Sequence, residues 1–574
     1  MTRAPASGRP AAIDLAIVGG GSVGVSFLYQ FLLALQAARP AREARPPVIH
    51  LFEPQAVPGP GGAYQDDLRS NLLNIPAGNM SARADHRLDF VDWLRAQDAG
   101  WLGGYGVTAI DPADFLPRPL FGAYMGAVYE RCRQLARSLG VTLEHVRSRV
   151  HRVAPQPDGG AIIQPEHGAL RHARHAVLCN GNLPSQAFPS LEGVAGYFNS
   201  PYPVSALAQD IAPDASVCIV GTSLSAVDAV AALQQAGHQG PILCVSRNGR
   251  LPSVRSPHNR PPDTLQRLSR DGALALAAQH GGTLTLDLIW QALRDEVLAL
   301  QGSLDPDEVL GMDGDARSAL EDEIRRSSAA PRPWQAVAAA TNAAVDQIWH
   351  LLPDTERRRF QSQWRSLWMA RRATFPMRNA LKLQALFGAN QLSVAAGFAG
   401  CEHDPASGLF RTRLRTADGQ IEHLSHHLIN ATSFSVDAAR TDDPLVSELL
   451  REGHAQADPH GGLTLDYDTG CLINAAGQHV AGVSVLGSLA GGTYFWTTSM
   501  DVNARLARDQ AERIAATLRA APLTDPEIRG DSPFPERWTA HRPPHPAQAA
   551  SSWRRSGDPG GQRCPPRPRA GPDC

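Results

Sequence analysis

The chain has 574 residues, more than one hydrophobic core usually organises, so two or three domains are expected. Basic and acidic groups nearly cancel, 54 against 56, which argues against nucleic acid or an anionic membrane surface as partner. The eight cysteines show no C-x-x-C pair and no zinc-like spacing, and no apolar run reaches the ~18 residues of a membrane span, so reduced thiols and a cytoplasmic setting fit best.

Residues 1–12 are rich in Pro, Ala and Arg without periodicity and read as a disordered leader. The run DLAIVGGGSVGVSFLYQFLLALQ then gives a buried strand, the turn Gly19-x-Gly21-x-x-Gly24 and an apolar helix, the context a dinucleotide site requires. Gly19 permits the tight turn, Gly21 lets a pyrophosphate approach the backbone, and Gly24 lets helix and strand pack closely. The following strand, VIHLFE, ends at Glu53, placed to accept hydrogen bonds from a ribose diol. The interval to that acid exceeds the usual ~20 residues because ARPAREARPP reads as a surface insertion. Within NLLNIPAGNMS, Asn74 and Met80 are candidates to line the bound cofactor; the plainer alternative is a loop asparagine and a core methionine. Arg118, in a Pro-Arg-Pro turn before a helix, suits a diphosphate or a substrate carboxylate, or is a solvated turn arginine.

In mid-chain, ASVCIVGTSLSAVDAVAALQQAGHQGPILCVSR repeats the pattern with Gly221-x-Ser223-x-x-Ala226. Ser223 holds the backbone further from a pyrophosphate than glycine would, but offers a hydroxyl. Ser246 and Arg247 follow the second strand where an acid would repel a 2′-phosphate, so NADPH is favoured over NADH. The alternative is an ordinary βαβ unit with solvated arginines. From about Pro261 to Leu381 helical patterns dominate, and five of the ten tryptophans fall there, read as packing between helices. Arg371 and Arg372 either clamp a phosphate or acidic substrate, or cover a helix face. Trp496, after Gly491-Gly492, is expected where a last strand meets its helix, lining the cofactor or packing. The tail is heavy in Pro, Arg and Gly and reads as disordered. Two dinucleotide sites divide the labour between a resident redox cofactor and a visiting nicotinamide.

The segments LFEPQAVPGPGGAYQ, NLLNIPAGNMSA, AVLCNGNLP, VCIVGTSLSAVDAV, WMARRATFP, LINATSF and VLGSLAGGTYFW, in that order, resemble a group of FAD/NAD(P)-binding flavoprotein monooxygenases. That group includes the flavin-dependent urate hydroxylase and the aspartate N-monooxygenase (nitrosuccinate synthase), and the resemblance spans about residues 14–520. It implies an α/β fold with two Rossmann-like domains, for FAD and NADPH, and a helical insertion. The corresponding division is a leader 1–12, a first part of the FAD domain 13–205, an NADPH domain 206–260, the insertion 261–390, a closing part of the FAD domain 391–522 and a tail 523–574. It also implies that Cys179, Asn180 and Gly181, and again Ala431 and Thr432, lie at two crossings between the domains. Ser488 stands where many relatives carry an Asp for the ribityl chain, leaving such contacts to Gly487, Thr493 or Trp496. The implied activity is NADPH-consuming hydroxylation of a small molecule by O2 through a C4a-peroxyflavin, with N-hydroxylation of an amino acid or amine as one form. A non-oxygenating FAD/NADPH oxidoreductase and a nucleotide-binding regulatory module are the alternatives. Substrate identity and oligomeric state are not legible in the sequence, and no catalytic side chain is assigned because the cofactor carries the chemistry.

Overall fold

The computed structural model describes residues 11–520 apart from 39–44, 158, 261, 263, 302–303, 312–313 and 433, so the tail 523–574 and the first ten residues lie outside the description. Sixteen strands follow in chain order: β1 (Ala11–Val18), β2 (Val48–Phe52), β3 (Thr142–Val146), β4 (Val150–Pro155), β5 (Ala161–Pro165), β6 (Arg171–Leu178), β7 (Tyr197–Phe198), β8 (Val217–Val220), β9 (Ile242–Val245), β10 (Leu392–Ala395), β11 (Phe398–Asp404), β12 (Leu409–Thr416), β13 (Gly419–Ser425), β14 (His427–Asn430), β15 (Cys471–Ile473) and β16 (His479–Val485). The expected leader therefore ends two residues early, because Ala11 and Ala12 already pair with Arg171 and His172 of β6.

The first sheet runs β15-β16-β6-β1-β2-β3, with β5 joined to β6 and β4 to β5. Its central strand β1 lies parallel to both β2 and β6, so Ile13 through Val18 are buried on both faces. That double burial is why the segment is a continuous apolar run rather than an alternating one. Helix α1 (Ser22–Ala37) packs between α2 (Arg118–Ser138) and the long closing helix α6 (Met500–Ala520). Three further helices bear on the site: α3 (Leu224–Gln235), α4 (Arg365–Arg372) and α5 (Met377–Gly388).

The second sheet is parallel throughout, in the order β10-β9-β8-β14-β7. This corrects the division at 206 and 391. Strand β7 comes from before the first boundary, and β10 and β14 come from after the second. Helix α5, assigned to the insertion, packs on α3 through Leu383, Leu386 and Phe387, and so belongs to this domain as well. Runs as short as LSVA and HLIN carry no local signal of which sheet they join; only the tertiary pairing decides it. A three-stranded antiparallel sheet, β11-β12-β13, covers β8 and β14 through Phe410 and Leu414. Helices between Arg270 and Arg372 form a third layer with its own core of Trp334, Val337, Ile348, Trp349 and Phe360. Trp290 and Trp368 pack against that core, and Trp364 alone of the five tryptophans is exposed. Among the described residues no helix is long and apolar enough to cross a membrane.

Candidate functional site

The two sheets build the same feature twice. Gly19 follows β1 with φ +101°, and a Cβ there would sit 2.3 Å from the carbonyl oxygen of Cys179, at the end of the neighbouring strand β6. Gly221 follows β8 with φ +132°, and its Cβ would sit 2.4 Å from the carbonyl oxygen of Ala431, at the end of the neighbouring strand β14. Each glycine also donates its N–H to the strand on the other side, Gly19 to Phe52 at 2.9 Å and Gly221 to Val245 at 2.7 Å. Only a residue without a side chain passes through either notch. Both notches lie at the carboxyl ends of parallel strands, where the strand order reverses, the place open α/β sheets offer to a ligand.

Beyond the first notch, Gly21 caps α1, and a Cβ on it would meet only Gly61 Cα, at 3.4 Å. The backbone there is bare toward the cavity. Gly24 is different: its Cβ would lie 2.0 Å from Gly19 O, so it serves helix–strand packing. Glu53 is buried and accepts from the N–H of Gly20 at 2.9 Å and of Gln55 at 3.0 Å. A carboxylate has about four acceptor positions, so two remain for a ligand. At the second notch Ser223 caps α3 without using its hydroxyl. Ser246 Oγ accepts from Gly249 N at 2.9 Å and lies 3.0 Å from Thr222 Oγ1, which fixes the loop that carries Arg247.

Both notches open onto one cavity of about 1510 Å³. Of the residues singled out from sequence, Gly19, Gly21, Glu53, Asn74, Arg118, Gly181, Gly221, Ser223, Ser246, Arg247 and Gly487 line it. Met80, Thr493 and Trp496 do not. Met80 is buried in the first domain's core, Thr493 is buried in a short helical turn, and Trp496 lies beneath the guanidinium of Arg372, 5.5 Å from its ring centre. Arg118 is no solvated turn residue: Nη2 pairs with Asp228 at 3.0 Å, Nε donates to Leu72 O at 3.1 Å, and the guanidinium lies over Tyr202. Burial alone would lower its pKa, but Tyr202 and Asp228 hold it above the usual range. Burial raises the Asp228 carboxyl, against the pull of Arg118. Arg371 is a structural residue, bound to Val309 O, Ser253 Oγ and Glu323.

Residues 16–183 match a family model described as FAD-NAD(P)-binding. The chain is 23% identical to the uncharacterized protein YdhS of Escherichia coli K12, over 70% of this chain and 80% of that protein. Two solved structures share the fold: an ornithine N-hydroxylase of Kutzneria sp. 744 and an L-lysine 6-monooxygenase from Pseudomonas syringae. The first is 15% identical with a TM-score of 0.52, the second 16% identical with a TM-score of 0.50, and each match covers 88% of this chain and 99% of the other. The architecture is thus the doubly nucleotide-folded α/β arrangement of those enzymes.

Two features of the wall are not marked in the sequence. Phe360–Trp364 forms a π-helical turn leading into α4, and Gln361, Ser362, Gln363 and Arg365 from this stretch line the cavity. Such turns interrupt helices mostly where a function needs them. The second feature is Phe495, with φ +64° and ψ −71°, bridged by a hydrogen bond from Trp496 N to Tyr494 O at 2.9 Å. This is a positive-φ γ-turn, a strained geometry for a bulky residue. Phe495 is held by stacking on Trp349 at 4.6 Å, whose indole N–H donates to Gly492 O at 2.7 Å. The turn aims Trp496 toward α4 and leaves Thr497 on the cavity wall.

Proposed function

We propose that this protein is an FAD-dependent, NADPH-consuming monooxygenase that hydroxylates a small molecule. The observation that carries this reading is the pair of like-built glycine notches sharing one cavity of about 1510 Å³, above the ~300–1,000 Å³ typical of a pocket for one ligand. The bare backbone at Gly21 and the spare acceptor positions of Glu53 suit the diphosphate and ribose of FAD. Ser223, Ser246, Arg247 and Arg365 at the second notch suit the phosphates of NADPH. Burial and the nearby Arg247 charge lower the Arg365 pKa, and the negative charge of a bound phosphate would offset both. Flavin, when bound, supplies hydride acceptance and oxygen activation. The chain's own work is to hold the two nucleotides in register, keep water out with the 361–370 segment, and orient the substrate.

The structures of like fold are named as an ornithine N-hydroxylase and an L-lysine 6-monooxygenase, and this chain fits N-hydroxylation of an amino acid or amine. Purines and acidic amino acids join the same test panel, as the substrates expected from the sequence resemblance to the urate hydroxylase and aspartate N-monooxygenase group. The purified protein should be yellow and bleach faster with NADPH than with NADH. With a member of the panel present, the product should gain the mass of one oxygen atom. Prompt return of all electrons as hydrogen peroxide with every compound would favour a non-oxygenating oxidoreductase, and absence of bound flavin would favour a nucleotide-binding module.

A further inference from the structure

Most deeply placed arginines in this protein have a carboxylate partner: Arg118, Arg332, Arg371 and Arg505 each form an ion pair of 3.0 Å or less. Arg255 and Arg372 form none among the described residues. Arg255 gives its Nε–H to Thr374 Oγ1 at 2.9 Å, and its guanidinium lies 5.7 Å from the centre of the Phe115 ring. Arg372 gives one Nη2–H to Asn342 Oδ1 at 2.6 Å, approaches Ala339 O at 3.5 Å, and leaves its Nε–H buried with no acceptor. Burial lowers both, to about 10. The like charge of Arg372 adds to this at Arg255, while Asp501 offsets part of it at Arg372.

A second unmet donor lies one helical turn away. Trp368 has a buried indole N–H with no acceptor, and its spacing from Arg372 puts both on one face of α4. Both meet the same ring: Trp368 lies 6.1 Å and the Arg372 guanidinium 5.5 Å from Trp496. Thus one cation and two orphaned donors gather around one indole, Arg255 is near enough to feel the charge of Arg372, and each unmet donor asks for an acceptor oxygen. Pro252, Ala370 and Thr497, within three residues of these groups, line the cavity, while Arg255, Arg372, Trp368 and Trp496 stand behind that wall. The strained turn at Phe495 is what brings Trp496 into this position.

We infer that Arg255 and Arg372, with the indole N–H of Trp368 and the floor of Trp496, anchor a carboxylate of the substrate. This deepens the proposed function by naming a substrate class, small acids, and it rests on that reading only for the fate of the bound acid. Planar guanidinium pairs bind carboxylate through forked hydrogen bonds, and an anion here removes both the repulsion and the orphaned donors.

The test uses the full-length, FAD-loaded protein and reads binding without turnover. Acetate, succinate and benzoate are titrated against acetamide, succinamide and benzamide, following tryptophan fluorescence and thermal midpoint. The acids should quench fluorescence and raise the midpoint, and the amides should do neither. Arg255→Gln and Arg372→Gln should each weaken acid binding by at least about tenfold, with the affinity for NADPH within about twofold of the wild type. Without ligand, Arg255→Gln should unfold no earlier than the wild type, since it removes a like charge; a merely structural arginine would destabilise on removal. If Arg372→Gln does not fold, Arg255→Gln decides alone. Equal binding of acids and amides, unchanged acid binding in Arg255→Gln, or loss of NADPH affinity in place of acid affinity would each overturn the assignment. Should acids bind as stated while all reducing equivalents emerge as peroxide, the monooxygenase reading falls and the anion site stands.

Discussion

Gly21 and Gly24 lie three residues apart in one turn, yet a methyl group meets different surroundings at each. On Gly24 it would strike the backbone oxygen of Gly19 at 2.0 Å, which cannot move without displacing the notch. On Gly21 it would make only an ordinary contact with Gly61, at 3.4 Å, on the side that faces the cavity. Gly24→Ala should therefore cost about 1–3 kcal/mol of stability, read as a lower urea midpoint. Gly21→Ala should keep the midpoint and lose bound flavin instead. If both variants behave alike, the division between packing and ligand approach is wrong. At the second notch, replacing Arg247 and Arg365 by Ala should raise the KM for NADPH by about tenfold or more while leaving that for NADH nearly unchanged; equal losses for both nucleotides would remove the 2′-phosphate assignment. The sequence reveals Arg247 because it follows a strand in a βαβ unit. It does not reveal Arg365, which reaches the same cavity from a helix more than a hundred residues away and shares no motif with it. Met80 and Trp496 show the converse: a motif position locates the loop, and the side chain's direction is set by packing.

Single elements carry the contacts between the two domains. Arg118 at the start of α2 meets Asp228 in α3, and Tyr202 completes the group by donating to Asp228 at 2.6 Å. Asp67 caps the backbone N–H groups of Val204 and Ser205, at 2.9 and 2.8 Å. After the two parallel strands end, the crossings run side by side, with Ser435 N donating to Leu183 O at 3.1 Å. These contacts hold the notches in register, so the clasp is a positioning device. Asp228→Asn should cost about 3–5 kcal/mol, because it leaves the Arg118 charge buried without its counter-ion. Tyr202→Phe should cost only about 1 kcal/mol. Urea titrations of the two variants check this ranking, and a smaller loss in Asp228→Asn than in Tyr202→Phe would show that Arg118 finds another partner. The helix N-terminus at Arg118 is evident in the sequence from its Pro-Arg-Pro turn. Its partner is not, since Asp228 stands inside the apolar run SAVDAVAAL with no motif to mark it.

For the molecule as a whole, the glycine turns and the helical stretch identify the architecture, while the distribution of β7, β10 and β14 among sheets depends on tertiary pairing that runs of two to four residues do not encode. Burial of polar rings inside this assembly has a consequence for pH. His50, His175, His238, His350, His427 and His454 are all held below 6.5, in each case by burial first, with Glu144 pulling His50 partly back. His175 reaches about 4, with Arg174 adding to the effect. A group whose folded pKa is depressed takes up a proton in the unfolded chain first, so its stabilising effect is complete above 6.5 and is lost as pH falls from 6.5 toward 4. At ~1.4 kcal/mol per pKa unit, His175 alone accounts for at most about 2 kcal/mol lost by pH 5, and the other five add to it. Asp228 and Asp458, raised by burial, act with the opposite sign nearer the carboxylate range. The urea midpoint should hence stay level between pH 8 and 7 and fall steadily toward pH 5, with a shallower fall in His175→Gln. A midpoint that held or rose on acidification would mean these imidazoles accept protons within the folded protein, and the packing that excludes water from them would be looser than the structure shows.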